Sequence, residues 1–184
     1  MSTTLSRSAL SRSTVPRARS LRAAATCDGL SLADLAALVR SVAANADLWQ
    51  PRLRIPGNGE DRWWTRLCTD NRVDVWLLSW LPGHATELHD HGSSAAALSV
   101  VHGSLIEIRA DGRGRRTVHT HTPGSVIWIA PGIVHDVRGS GHGPSVSIHA
   151  YSPPLERMNF YGAGTRGLKV VRSVRTDEPE DAAR

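Results

Sequence analysis

Several features that define other classes of protein are scarce in this chain of 184 residues. It has only two cysteines, Cys27 and Cys68, and these form no spaced framework, so we expect no disulfide and a reducing, cytoplasmic compartment. No apolar run approaches the roughly 20 residues that a bilayer span needs, so we expect a soluble protein without membrane contact. Long apolar helical runs are also scarce, whereas 16 glycines and 10 prolines favour a β-rich fold with many turns.

Acidic residues are absent from the opening segment, residues 1–26, which holds much of the arginine behind the formal net charge of +5. The remainder of the chain is close to neutral, so we expect no nucleic-acid partner. The Arg/Ser/Ala-rich composition is typical of a disordered or transit-like tail, which we assign to residues 1–27, although an over-long start is an open alternative.

Residues 28–172 are assigned to a single domain that begins with a helix. Apolar residues recur at helical spacing between Leu35 and Trp49, and Ser31 followed by Asp34 predicts the N-cap. Beyond a Pro- and Gly-rich break the chain has short strands separated by turn residues, typical of a sandwich or small barrel. We see no internal repeat, and we expect a monomer.

The predicted strands are WWTRLC, VDVWLLSWL, AALSVVHGSLIEIR, RTVHTHT, SVIWIA, HDVRG and SVSIHAYS. After Pro153 we expect irregular chain, and we assign residues 173–184 to a polar C-terminal tail.

Two His-x-His pairs lie in these strands, at His89 with His91 and at His119 with His121. Because side chains alternate across a strand, each pair projects two imidazoles to one face, where they could bind one metal ion. The alternative for either pair is two ordinary polar strand residues. The one-residue spacing within a pair does not separate metal binding from this alternative.

The first pair lies within a two-part pattern of glycines and histidines. Five residues separate Gly83 from His89, and the downstream run GSVIWIAPGIVHDVRG contains Gly124, Gly132 and His135 in fixed register. This pattern resembles the cupin superfamily, whose fold is a double-stranded β-helix (jelly-roll) barrel. The resemblance implies His89, His91 and His135 as metal ligands on the inner face, and it leaves the other pair as an exposed strand.

The position at which many cupins have a carboxylate ligand is Ala96 here, so the implied site has three neutral imidazoles. Such a site leaves coordination positions open and suits an anionic ligand such as a thiolate. By ligand type alone zinc, iron, copper and nickel are all possible.

The run SVSIHAYSPP places Ser147, His149 and Tyr151 on one face of a strand. A hydroxyl, an imidazole and a phenol in line can pass hydrogen bonds from one to the next and orient the phenol. The alternative is an ordinary strand with its polar side towards water.

The combined pattern resembles cysteine dioxygenases of the bacterial type, over about residues 61–154. Those enzymes have the three-histidine site, the same Ser-x-His-x-Tyr-Ser-Pro-Pro run, a Thr-Arg pair on an early strand and a Trp before the first motif. Here the last two are Thr65–Arg66 and Trp80. The resemblance implies a mononuclear Fe(II) that binds the thiolate and amine of L-cysteine, with O2 oxidising the sulfur to cysteine sulfinic acid.

The resemblance also implies the roles of other residues. Arg66 pairs with the substrate carboxylate, Tyr151 donates a hydrogen bond near the sulfur or oxygen, and His149 with Ser147 orients it. A related substrate, 3-mercaptopropionate, is the first alternative, although enzymes preferring it commonly have Gln in place of the arginine. A non-catalytic metal-binding cupin that acts as a sensor or binding module is the second.

Two positions depart from the animal enzymes. Trp64 stands where they have a Tyr, and Ala96 stands where they have a Cys that is crosslinked to the active-site tyrosine. We therefore expect Tyr151 to be an unmodified phenol.

Overall fold

A computed structural model describes residues 29–141 and 143–179, so the predicted tail at residues 1–27, with Cys27, lies outside the described residues. The described chain contains an α-helix, two short 3₁₀ helices and eleven strands. Their bounds are α1 Leu32–Ala44, 3₁₀ helices Ala46–Leu48 and Gln50–Arg52, β1 Trp63–Thr69, β2 Asp74–Trp80, β3 His89–Asp90, β4 Ala95–His102, β5 Leu105–Ala110, β6 Arg116–His121, β7 Val126–Ile129, β8 Val134–Gly139, β9 Ser145–Ser152, β10 Arg157–Gly164 and β11 Gly167–Arg175.

The predicted N-terminal helix is present, with Ser31 as its N-cap. The Ser31 hydroxyl accepts a hydrogen bond from the backbone N–H of Asp34 at 3.1 Å. The α-helix ends at Ala44, earlier than the apolar spacing predicts, and the chain continues in 3₁₀ turns. No helix in residues 29–141 and 143–179 is long and apolar enough to cross a membrane.

The strands form two antiparallel sheets. Sheet 1 has the order β1-β2-β9-β4-β7, and sheet 2 has the order β11-β10-β3-β8-β5-β6. A continuous apolar core lies between them, to which Trp76 and Leu98 of sheet 1 and Leu105 and Phe160 of sheet 2 contribute. The predicted all-β double-stranded β-helix barrel with an N-terminal helix is confirmed.

The central strand β2 of sheet 1 is buried on both of its faces. Every residue of β2 is buried, because alternate side chains face the core between the sheets and the helix α1. On the outer side Val75 and Leu77 pack in one cluster with Leu35 and Val39 of α1. Double-sided burial explains why the β2 sequence is apolar almost throughout instead of alternating with polar residues.

The expectation of irregular chain after Pro153 is wrong. Residues 157–175 form the hairpin β10–β11, and β10 pairs with β3, with Phe160 opposite His89. Met158 and Phe160 fill the core between the sheets, which stabilises the strand despite its glycines. Strand β11 extends to Arg175, so it includes the first residues of the segment that the sequence assigns to the C-terminal tail.

The predicted run AALSVVHGSLIEIR is two strands, β4 and β5, in different sheets. The chain turns at Gly103, whose φ is +68° and whose Cβ, if present, would lie 2.5 Å from the carbonyl oxygen of Pro144. Only glycine meets both requirements, and the turn carries the chain from one sheet to the other.

Candidate metal centre and active site

Three histidines converge between the sheets. His89 lies on β3, His91 follows it in the next turn, and His135 lies on β8 directly opposite His89 in the β3–β8 register. The Nε2 atom of His91 is 3.2 Å from that of His89 and 3.5 Å from that of His135. The three side chains are almost fully buried, and each offers a ligand nitrogen within 4.8 Å of the others.

The other ring nitrogens show how two of these imidazoles are oriented. His89 Nδ1 lies 2.8 Å from the backbone carbonyl oxygen of Glu87, and His135 Nδ1 lies 3.1 Å from Oε1 of Glu107. Because both partners accept hydrogen bonds, Nδ1 carries the proton and Nε2 presents its lone pair to the shared space. Converging lone pairs repel one another unless a cation lies between them, so this donor set fits a metal ion.

Glu107 is a buried carboxylate behind His135, and its side chain is 1% exposed. Although burial favours the neutral acid, hydrogen bonds from His121, His135 and Arg109 hold the pKa of Glu107 well below its usual range. The carboxylate is therefore ionised, which favours the Nδ1-protonated, metal-binding tautomer of His135.

Asp90, between His89 and His91, points away from the metal centre and anchors the turn that follows. Its carboxylate accepts hydrogen bonds from Gly92 N (2.9 Å), Asn159 Nδ2 (2.8 Å) and Tyr161 Oη (2.5 Å). Partial burial together with Asp90 raises the pKa of Tyr161 to about 12. The first metal-binding motif is thereby tied to β10, which contributes none of the three histidines.

The polar row on β9 faces inwards, so the alternative that it faces water is wrong. Trp80 Nε1 donates to Ser147 Oγ at 3.0 Å, and Ser147 Oγ lies 2.9 Å from Nε2 of His149. His149 Nδ1 is 3.4 Å from Tyr151 Oη, and the ring of Tyr151 meets that of His91 edge to face with centroids 5.0 Å apart. A continuous hydrogen-bonded row therefore ends beside a candidate metal ligand.

The two departures noted in the sequence also line this core. Ala96 lies opposite Tyr151 in the β4–β9 register, so a small methyl group is the neighbour of the phenol. Trp64 packs against the core from β1.

Arg66 lies on β1, where its guanidinium covers the ring of Trp76 at 4.4 Å. Its Nη2 atom donates to the backbone oxygen of Asp177 at 2.5 Å and lies 3.3 Å from a carboxylate oxygen of that residue. Its Nε atom is 3.7 Å from Oδ1 of the buried Asp74, and Asp74 is opposite Tyr151 in the β2–β9 register. The guanidinium and the phenol therefore lie at the same end of sheet 1.

The second histidine pair lies on β6, the edge strand of sheet 2. Most of this strand is exposed, as the sequence predicts. The imidazoles of His119 and His121 stack with an interplanar angle of 16°, and His121 Nε2 is 2.9 Å from Oε2 of Glu107.

The structure brings together the three predicted metal ligands and the predicted row on β9, and places Arg66 near the row. Sequence reasoning missed the contacts of four residues, namely Asp74, Trp80, Asp90 and Glu107. For Trp80 the sequence offers only its place in the resemblance to cysteine dioxygenases. A signal existed for Glu107, since it is an acidic residue at an inward position of the predicted strand containing LIEIR.

Comparisons with known proteins agree with this geometry. The family model described as cysteine dioxygenase type I matches residues 1–163. Cysteine dioxygenase type 1 of Rattus norvegicus is 27% identical over 105 residues, 52% of this chain and 52% of that protein. The chain thus matches about half the length of that relative. The Danio rerio protein of the same name is 24% identical over 158 residues, 79% of this chain and 77% of that protein.

A solved structure of recombinant oxalate oxidase in complex with glycolate shares the fold. It is 13% identical and has a TM-score of 0.50, covering 58% of this chain and 59% of that one. At this identity the likeness concerns the fold alone.

Proposed function

Because this chain belongs to the cysteine dioxygenase type I family, we propose that it oxidises L-cysteine with O2 to cysteine sulfinic acid. The proposed centre is a mononuclear Fe(II) held by His89, His91 and His135. The observation that carries the proposal is the convergence of three buried imidazole nitrogens beside a hydrogen-bonded row that ends in a tyrosine. A bound iron(II) would supply the redox-active centre at which thiol and dioxygen react, and the thiol itself supplies all four electrons.

We propose one direction for the row on β9. An indole N–H can only donate, so Ser147 accepts from Trp80, and its own hydroxyl hydrogen is free to be donated to His149 Nε2. In this tautomer His149 carries its proton on Nδ1 and donates to the Tyr151 oxygen. The phenol hydrogen of Tyr151 can therefore be donated to a different acceptor, and we assign it to the sulfur or the oxygen that reacts there.

Arg66 is the proposed anchor of the substrate carboxylate. A guanidinium can bind a carboxylate through two parallel charged hydrogen bonds, and Arg66 already binds a carbonyl and a carboxylate oxygen of Asp177. The Asp177 side chain is 82% exposed, so a substrate can displace it at little cost. The buried carboxylate of Asp74 lies beside the guanidinium, with Oδ1 3.7 Å from Nε, which favours the charged group there without a hydrogen bond.

Part of the wall around the histidines is apolar. The ring of Phe160 lies 6.2 Å from that of His89, and Phe160 belongs to one buried cluster with Ala96, Leu98 and Met158. Such walls exclude water, which strengthens the hydrogen bonds that the substrate makes to Tyr151 and Arg66.

The deciding experiment combines metal analysis with oxygen uptake. Purified protein is loaded with Fe(II) without oxygen and then given L-cysteine or 3-mercaptopropionate, and the products are identified by mass spectrometry. We expect one O2 consumed per sulfinate formed, and a higher kcat/KM for cysteine. Iron binding without oxygen uptake would favour the non-catalytic module, and a preference for 3-mercaptopropionate would refute the cysteine assignment.

Two matched variants test the carboxylate anchor. Arg66→Gln removes the charge, and we expect kcat/KM for cysteine to fall. The fall should correspond to a loss of about 2–4 kcal/mol of transition-state stabilisation. Asp177→Ala removes the side-chain carboxylate that competes for Arg66 and keeps the backbone oxygen, and we expect a modestly lower KM for cysteine with kcat little changed. Full cysteine activity in Arg66→Gln would show that another group binds the carboxylate.

A further inference from the structure

The carboxylate of Glu107 is held by three donors that come from three strands. On Oε1 it receives His135 Nδ1 at 3.1 Å and Arg109 Nε at 2.9 Å, and on Oε2 it receives His121 Nε2 at 2.9 Å. Two donors therefore share one oxygen, while His121 alone among these three binds the other.

The β5–β6 register explains how a histidine on an edge strand reaches a buried carboxylate. Leu105 is opposite His121 and Glu107 is opposite His119, so both histidines project to the same side of sheet 2 as Leu105, which is in the core. The sheet ends at β6, and a cavity of about 450 Å³ lies against this inner side, lined in part by Glu107, His119, His121 and Trp128. The strand is exposed, yet His121 points towards the metal centre and its side chain is only 16% exposed.

We propose that His121 is a positioning residue for the metal centre, acting on His135 through Glu107. A carboxylate fixed by both of its oxygens has little freedom to rotate, so Oε1 stays aligned with His135 Nδ1. That alignment keeps the proton on Nδ1 and the Nε2 lone pair directed at the metal. The inference rests on the metal-binding part of the proposed function, and it requires no titration of any group.

His119 supplies a control within the same pair. It has the same residue type, the same strand and the same facing direction, and it stacks on His121 with ring centroids 6.3 Å apart. The hydrogen bond to Oε2 of Glu107 nevertheless comes from His121. A general effect of losing an imidazole from β6 would appear in both variants, whereas the proposed role concerns His121 alone.

The experiment compares His121→Ala, His121→Gln and His119→Ala in the full chain. The affinity for Co(II), an oxygen-stable probe of divalent binding, is measured by chelator competition. Loss of an outer hydrogen bond to a metal ligand typically weakens affinity by about 10–100-fold, and we expect about 10-fold in His121→Ala because it acts one contact further out. Glutamine can donate to Glu107, so His121→Gln should recover most of the affinity, and His119→Ala should match the wild type.

A second readout is independent of turnover and of metal. In the metal-free protein the Nδ1–H resonance of His135 should be visible by NMR, and it should broaden or shift in His121→Ala but not in His119→Ala. Wild-type affinity and an unchanged His135 signal in His121→Ala would overturn the inference, as would equal losses in both alanine variants. A wild-type protein that binds Co(II) but, loaded with Fe(II), oxidises no thiol would refute the dioxygenase proposal and leave this inference standing.

Discussion

The two His-x-His pairs have the same spacing and both begin on strands of sheet 2, yet they have different surroundings. His89 is on β3, which is flanked by β10 and β8, whereas His119 and His121 are on β6, which has β5 alone as its neighbour in the sheet. Neighbours on both sides and a facing sheet bury the first pair almost completely. A pair of imidazoles therefore becomes a candidate metal site through the position of its strand in the sheet, and spacing alone does not decide this.

The largest expected difference between the pairs is in metal binding. We expect His89→Ala to lose iron and activity together. The loss of metal affinity should exceed the factor of about 10–100 that is typical when a residue outside the ligand set is removed. His119→Ala should retain both. The measurements are iron content per chain and oxygen uptake with cysteine. Iron retained in His89→Ala, or lost in His119→Ala, would reverse the assignment of the two pairs.

The next largest effect extends the comparison to the inward row on β9. Tyr151→Phe removes the hydroxyl that the row orients, and we expect kcat to fall by about 10 to 1,000-fold, as for other lost transition-state donors. Iron content should stay normal, since the phenol is not among the three converging ligands. Unchanged turnover would reduce the row to a packing role.

The middle residues of the two pairs give a smaller, structural contrast. Asp90 accepts three hydrogen bonds, whereas Thr120 is exposed. We expect Asp90→Ala to lower the free energy of unfolding of the metal-free protein by about 2–4 kcal/mol, because three partly buried donors lose a charged acceptor. Thr120→Ala should change it by less than about 0.5 kcal/mol. Urea unfolding of both variants checks this, and equal stabilities would count against the anchoring role of Asp90.

The smallest effect concerns alkaline pH. Because the pKa of Tyr161 is raised to about 12, its contribution to stability is fully present below the unfolded value near 10 and is lost as pH rises towards 12. Tyr161→Phe has no such proton, so its stability should decline less steeply between about pH 10 and 12. Parallel declines in urea unfolding midpoints for the two proteins would contradict the Tyr161–Asp90 assignment.

Much of the fold could be predicted because alternation and turn residues are local signals. Strand β9 follows from alternation, β1 and β2 follow from apolar runs bounded by turn residues, and Ser31 marks the start of α1. The β10–β11 hairpin was missed because Gly162, Gly164 and Gly167 weaken its pattern, although Met158 and Phe160 do alternate with more polar neighbours.

The site was predictable where motifs carry it and unpredictable where distant residues meet. His89, His91 and His135 could be named from their place in the two-part pattern. The contact of Arg66 with Asp177 joins residues 111 positions apart, and the contact of Glu107 with His121 depends on the side to which an edge strand projects. No local periodicity encodes such pairs, because they follow from sheet order and register.

The anchoring of Asp90 to β10 has a consequence for the order in which the protein is made. A nascent chain that ends at Ser152 already contains the three histidines and the complete row on β9. It lacks Asn159 and Tyr161, which bind Asp90, and the strand that pairs with β3 on its other side. The surroundings of the candidate metal centre are therefore completed only after a hairpin that contributes none of its three ligands has been synthesised.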